Sequence, residues 1–236
     1  MSANTKADNL AQFFEAIHSN QVANIKQFAQ PYSLILRVND CLVRAGQNLI
    51  DPKPLMAGNL FLRCQYAYKA ASGMALSGQV VEAFAMMRLC LEYAGYALAI
   101  FADQNLEAIF LKRNVSAADM VVQKEKFKIS HIRKTISDFD SKLADNFQLF
   151  YERAIDFGGH PNPHATLSAV KLETSGTDSF LHTLALSTEP KALLHAMKST
   201  AQIGLTALFI FQHIFKAKFE LLGIRAEMDA LRKENL

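Results

Sequence analysis

The chain has few of the residues that interrupt helices, with 6 prolines and 10 glycines among 236 residues. Long helices are therefore expected. It has three cysteines, Cys41, Cys64 and Cys90, an odd number with no CxxC spacing. That argues against a disulfide frame or a zinc knuckle, and for reduced, buried thiols in a cytosolic protein. There is no GxGxxG and no GxxxxGKS/T, so no nucleotide cofactor is expected. A formal net charge of +3 falls short of the strongly basic footprint of a dedicated nucleic-acid binder. The opening residues, "MSANTKADNL", lack the apolar run of a secretion signal, and a cytoplasmic location is expected.

What is abundant is apolar: half of the residues, 17 of them Phe, enough for a substantial core. The longest charge-free stretch, "STAQIGLTALFIFQHIF" between Lys198 and Lys216, carries Ser, Thr, two Gln and His. It reads as a buried core helix, and no membrane contact is expected.

The helical pattern from about Ala7 to Ile50 is broken by Pro31, and "DPKP" at 51–54 is a stop. Two helices follow, Leu55–Leu76 and Gln79–Asp103. In the second, Val80, Phe84, Met87, Leu91, Ala94, Leu98 and Phe101 keep a three-four rhythm. The connection "LSGQ" is so short that the pair must pack antiparallel. Counting outward from the turn sets Arg63 level with Glu92, and Arg88 and Glu92 are four apart on one helix. An Arg63–Glu92–Arg88 cluster on apolar helices must be paired or functional, either as a clamp or as a ligand-facing site.

Shorter helices are expected at Leu106–Arg113 and, capped by Ser116, at Ala117–Phe127. The most basic run holds Lys124, Lys126, Lys128, Arg133 and Lys134, a solvated face or a phosphate-binding surface. A helix from about Asp138 to Phe157 ends at Gly158-Gly159. The period then changes to two in "TLSAVKLET" and "SFLHTLALS", which predicts a β-hairpin at 166–187. Thr188-Glu189-Pro190 opens a final helix to about Leu222, with a kink at Gly223. The fold class is an all-α up-and-down bundle with one hairpin insertion, a single domain over 1–236. Its parts are N-terminal helices at 1–50, core helices at 55–157, turn and hairpin at 158–187, and C-terminal helix and tail at 188–236.

The candidate chemistry lies in "YERAIDFGGHPNPHA", Tyr151 to Ala165. His160 and His164 are four apart, but Pro161 and Pro163 forbid a regular helix between them. Even with Asp156 or His131 nearby, the three good ligands of a zinc site are not assembled, and no metal is expected. In a purely structural reading the glycines end a helix, the prolines turn the chain, and the imidazoles cap carbonyls or pair with carboxylates. In a catalytic reading a histidine moves the proton of a ribose hydroxyl and an arginine stabilises charge on the phosphate.

Arg153 and His160, six residues between them, resemble the R-x4–6-H motif of the HEPN superfamily, all-helical bundles that include metal-independent endoribonucleases. Ala154 stands where that pattern has a polar residue, and Gly158-Gly159 where it keeps helix. More widely, "EAFAMMRLCLEYAGYALAIF" followed by "IDFGGHPN" and a β-hairpin resembles a group of uncharacterised bacterial proteins grouped with HEPN-like bundles. That resemblance covers roughly residues 55–215. It implies a site shared by Arg88, Glu92 and His160. Asn162 and His164 of the same turn are further candidate binding residues. A homodimer is expected because the long helices carry more apolar surface than one bundle buries. Two functions are carried forward. One is action on RNA, with His160 as acid/base and Arg153 as phosphate clamp. The other is a non-catalytic bundle that binds a partner or small ligand through an internal polar cluster containing Arg63, Arg88 and Glu92.

Overall fold

The computed structural model describes residues 9–168, 170–175 and 178–234. The first helix, α1 (Leu10–Gln27), is capped by Asn9, whose Oδ1 accepts from the Ala11 amide; the expected start at Ala7 lies outside the described residues. The chain breaks at Phe28 and α2 (Ala29–Gln47) begins at once. The expected break at Pro31 is thus displaced. Pro31 sits in the first turn of α2, where an amide has no intrahelical acceptor and its absence costs nothing.

Next comes the antiparallel pair α3 (Leu55–Ser77) and α4 (Val80–Ala102). The turn between them needs Gly78, which is left-handed at φ 91°. Its carbonyl accepts from the Ser187 amide at 2.7 Å, fastening the turn to the segment before the last long helix. α1 closes the end of α3: the side-chain amides of Asn20, Gln21 and Asn24 donate to the carbonyls of Ser77, Gly73 and Leu76. Cys64 Sγ donates to the Cys90 carbonyl at 3.5 Å, and Cys90 Sγ back to that of Cys64 at 3.8 Å. Those contacts fix the level at which α3 and α4 face each other. All three cysteines are buried free thiols, and burial pushes Cys90 well up.

α5 (Asn105–Leu111) and α6 (Ala117–Lys126) are short, and Ser116 caps α6 through the Asp119 amide. α8 (Ser141–Ala154) answers to the helix expected from about Asp138, and α7 (Ile129–Phe139) precedes it where no helix was expected. Asp140 sets the boundary between them. Its Oδ1 accepts from the Leu143 amide at 3.0 Å, so the chain leaves one helix and starts another there. α9 (Pro163–Ser168) occupies residues expected to begin a strand. Asn162 caps it through the Ala165 amide at 2.9 Å, and Pro163 fills the first helical position. β1 (Val170–Ser175) and β2 (Asp178–Thr183) pair antiparallel, with Val170 opposite Thr183. The last long helix is not continuous: α10 (Pro190–Ile214), α11 (Lys216–Leu221) and α12 (Ile224–Lys233) are separated at Phe215 and at left-handed Gly223.

The result is an all-α bundle centred on α4 and α10, with α2, α3, α7 and α8 around them. Phe61, Tyr68, Phe84, Phe147, Phe211 and Phe219 are fully buried, each contributing roughly 1.5–3 kcal/mol. The Phe61 and Phe211 rings meet edge-on at 4.7 Å. α4 is the one helix among the described residues long and apolar enough to cross a membrane. In this structure it packs against α3, α10, α7 and α8.

Candidate functional site: two cavities that share His195

The C-terminal end of α8 organises the site. After Ala154 the helix widens into a π-helical turn, Ile155–Gly159, with Gly158 at φ 156°. A β-carbon at Gly158 would collide with the Val81 carbonyl, so only glycine lets this turn lie against the start of α4. Arg88 on α4 secures the same turn, its Nη1 donating to the Gly159 carbonyl. Arg88 Nε lies 3.2 Å from Glu92 Oε1, an ion pair without hydrogen-bond alignment. Tyr151 on α8 donates its hydroxyl to the same Glu92 oxygen at 3.1 Å. Burial first, and then the Glu92 charge, push the Tyr151 phenol up to about 12.

This polar cluster differs from the expected one. Arg63 is exposed and stands 6.0 Å over the Tyr93 ring, with no ion pair to Glu92. The helix level was read correctly and the azimuth was not, because α3 turns Arg63 outward. His160 does not join either. It is exposed, its Nδ1 lying 3.2 Å from the Pro161 carbonyl oxygen. Asn162 is committed to the backbone, its amide donating to the Ile155 and His160 carbonyls at 2.8 and 2.9 Å. His164 belongs to α9, and its side chain is outside the described residues.

Among the described residues no hydrogen bond and no common cavity joins Arg153 to His160. Arg153 Nη1 donates to Gln202 Oε1 on α10 at 2.8 Å, and its guanidinium lies 5.0 Å over the Phe150 ring. Of the basic run, all of it exposed, Lys128 pairs with Glu125 at 2.5 Å and Arg133 with Asp145 at 3.0 Å. Lys124, Lys126 and Lys134 make no ion pair among the described residues. Among the described residues no group of three or more His, Cys, Asp or Glu is placed to hold a metal ion.

The concave features lie elsewhere. A cavity of about 510 Å³ opens between the start of α4, the π turn, α9, β1 and α10. Its wall is apolar: Val80, Val81, Phe157, Val170, Leu184 and Ala192, with Glu82, Thr166, Ser187 and His195 at intervals. His195 packs between Phe157 at 4.6 Å and Phe84 at 5.5 Å, ring to ring. Burial, and then the nearby Arg153 charge, lower its pKa and favour the neutral imidazole. His195 also lines a second cavity, of about 340 Å³, together with Arg153, Lys191, Leu194, Lys198, Ser199 and Gln202. A third depression is lined by Arg37, Asp40, Val43, Arg44, Gln47 and Glu227, and there Arg37 binds Glu227 and Glu234, each at 2.7 Å.

Lys191, His195, Lys198, Ser199 and Gln202 were not singled out in the sequence. They recur at helical spacing on a helix otherwise rich in apolar residues, and that polar stripe is the signal that marks them. Comparison with protein-family models, with curated proteins and with solved structures finds no match.

Proposed function

We propose that the protein is a non-catalytic binding bundle that takes a small, largely apolar ligand into the cavity beneath the hairpin. One observation carries this reading: a concave, mainly apolar space of about 510 Å³ with a few polar groups set into its wall. That is the usual make-up of a small-molecule site, for which roughly 300–1,000 Å³ is typical. The walls come from five separate elements, so the cavity is a product of the tertiary fold. The Arg88–Glu92–Tyr151 cluster serves this reading as a brace. It ties α4 to α8 and to the π turn, which supplies Phe157 to the wall. The test is whether a neutral apolar probe enters the cavity and is shut out when Ala192→Phe fills it.

RNA cleavage by a HEPN-like mechanism draws less support. It needs an acid–base histidine and a phosphate-binding arginine on one substrate. Here Arg153 is engaged with Gln202 and faces the smaller cavity, whereas His160 is on the outside of the turn and is not part of that cavity.

A further inference from the structure

The larger cavity does not end at an apolar wall. His195 on its wall also lines the smaller cavity, whose charged lining is entirely cationic: Arg153, Lys191 and Lys198, with no carboxylate. Arg153 is the informative member. It is half-buried, and burial is the only cause that lowers its pKa. Its Nη1 is held by Gln202, and among the described residues its Nε and Nη2 have no acceptor. A charge taken partly out of water and given no counter-ion is unfavourable unless something else supplies one. The cavity around it adds two further cations, Lys191 and Lys198, and so offers a place for an acidic group.

We infer that the ligand is an amphipathic organic anion. Its acidic head sits between Arg153 and Lys198, and its apolar part passes His195 into the cavity beside Phe157. This rests on the binding reading above and adds the chemical class of the ligand. His195 suits the junction: a neutral imidazole wedged between Phe84 and Phe157 presents an apolar face to a chain and a ring nitrogen to a head group. Inorganic phosphate alone would leave the apolar cavity unfilled. A neutral lipid-like molecule would leave Arg153 without a counter-ion. Glu82, the one acid on either lining, belongs to the apolar cavity alone and is exposed.

The experiment compares four probes by their displacement of a neutral fluorophore, N-phenyl-1-naphthylamine, at pH 7.5: octanoate, octanol, octylamine and inorganic phosphate. With wild-type protein octanoate should displace the dye at roughly tenfold lower concentration than octanol, with octylamine weaker than both and phosphate ineffective. Arg153→Gln should erase the advantage of octanoate over octanol and leave octanol unchanged. Lys198→Gln, an exposed substitution with no burden on folding, should reduce that advantage in part. Equal displacement by octanoate and octanol, or an octanoate preference that survives Arg153→Gln, overturns the anion assignment and leaves the apolar site standing. Failure of the dye, octanol and octanoate alike to bind folded wild-type protein overturns both.

Discussion

Arg88, Glu92 and Tyr151 divide one small set of hydrogen bonds among three elements. Glu92 Oε1 is shared by the Arg88 ion pair and the Tyr151 hydroxyl, while Arg88 also reaches the Gly159 carbonyl. Removing Arg88 therefore strands two acceptors in a half-buried place, at a cost of about 1–3 kcal/mol. Removing only the Tyr151 hydroxyl leaves Glu92 with its arginine and costs about 0.5–1.5 kcal/mol. Arg88→Ala should thus lower the urea midpoint clearly more than Tyr151→Phe does, at equal slope. Equal midpoints for the two variants would mean that Arg88 does not brace the turn. At this scale the sequence showed which residues are level and not which way they point. Hairpin counting set Arg63 level with Glu92, and the structure places it over the adjacent Tyr93 ring. One residue along a helix is about a quarter of a turn, so a correct level with a wrong azimuth is enough to undo a pairing.

Among the elements, the π turn is the one that shapes the site. Gly158-Gly159 looked like an ordinary helix C-cap, and a cap does end α8 in the sense that regular helix stops at Ala154. What the sequence did not reveal is that the chain stays wound past Ala154 before it turns at Gly158 against the Val81 carbonyl. That outcome depends on a partner helix distant in sequence. Gly158→Ala combines a backbone conformation rarely adopted by residues with side chains and a collision with backbone, which cannot swing aside. It should destabilise the protein by about 2–4 kcal/mol by denaturant unfolding and weaken binding in the larger cavity, to which Phe157 contributes. A Gly158→Ala variant as stable as wild type would contradict the placement of this turn. The start of α8 was placed close, at about Asp138, where the bond from the Asp140 side chain to the Leu143 amide sets it, and α7 just before it was missed. The polar stripe of α10 was passed over because the helix was read for its length and apolarity.

For the whole molecule, the composition already pointed to helices, and the all-α architecture followed from few breakers and long three-four rhythms. The cavities were not legible, because each is a gap between elements whose spacing only packing decides. Packing also sets the response to pH. Two half-buried histidines, His195 and His213, have pKa values lowered from 6.5, in each case chiefly by burial. Both are held neutral in the folded chain, whereas the unfolded chain takes up their protons as the pH falls through about 6.5. Their contribution to stability is thus fully present above that pH and is lost below it. The urea midpoint should be lower at pH 5.5 than at pH 7.5, and the His195→Asn, His213→Asn double variant should narrow that gap. A midpoint that rises on acidification, or a gap the double variant leaves intact, would contradict this assignment.

The central claim is that the space beneath the hairpin is a ligand site. Its most direct measurement is the fluorescence of N-phenyl-1-naphthylamine titrated with wild-type protein and with Ala192→Phe at matched concentration, each shown to be folded by circular dichroism. The account expects saturable enhancement with wild type at about one dye per chain, and loss of most of it in Ala192→Phe, because the added ring fills the wall facing Phe157 and Val81. Saturable binding that Ala192→Phe leaves unchanged would place the dye elsewhere, and no enhancement with folded wild-type protein would contradict the claim outright.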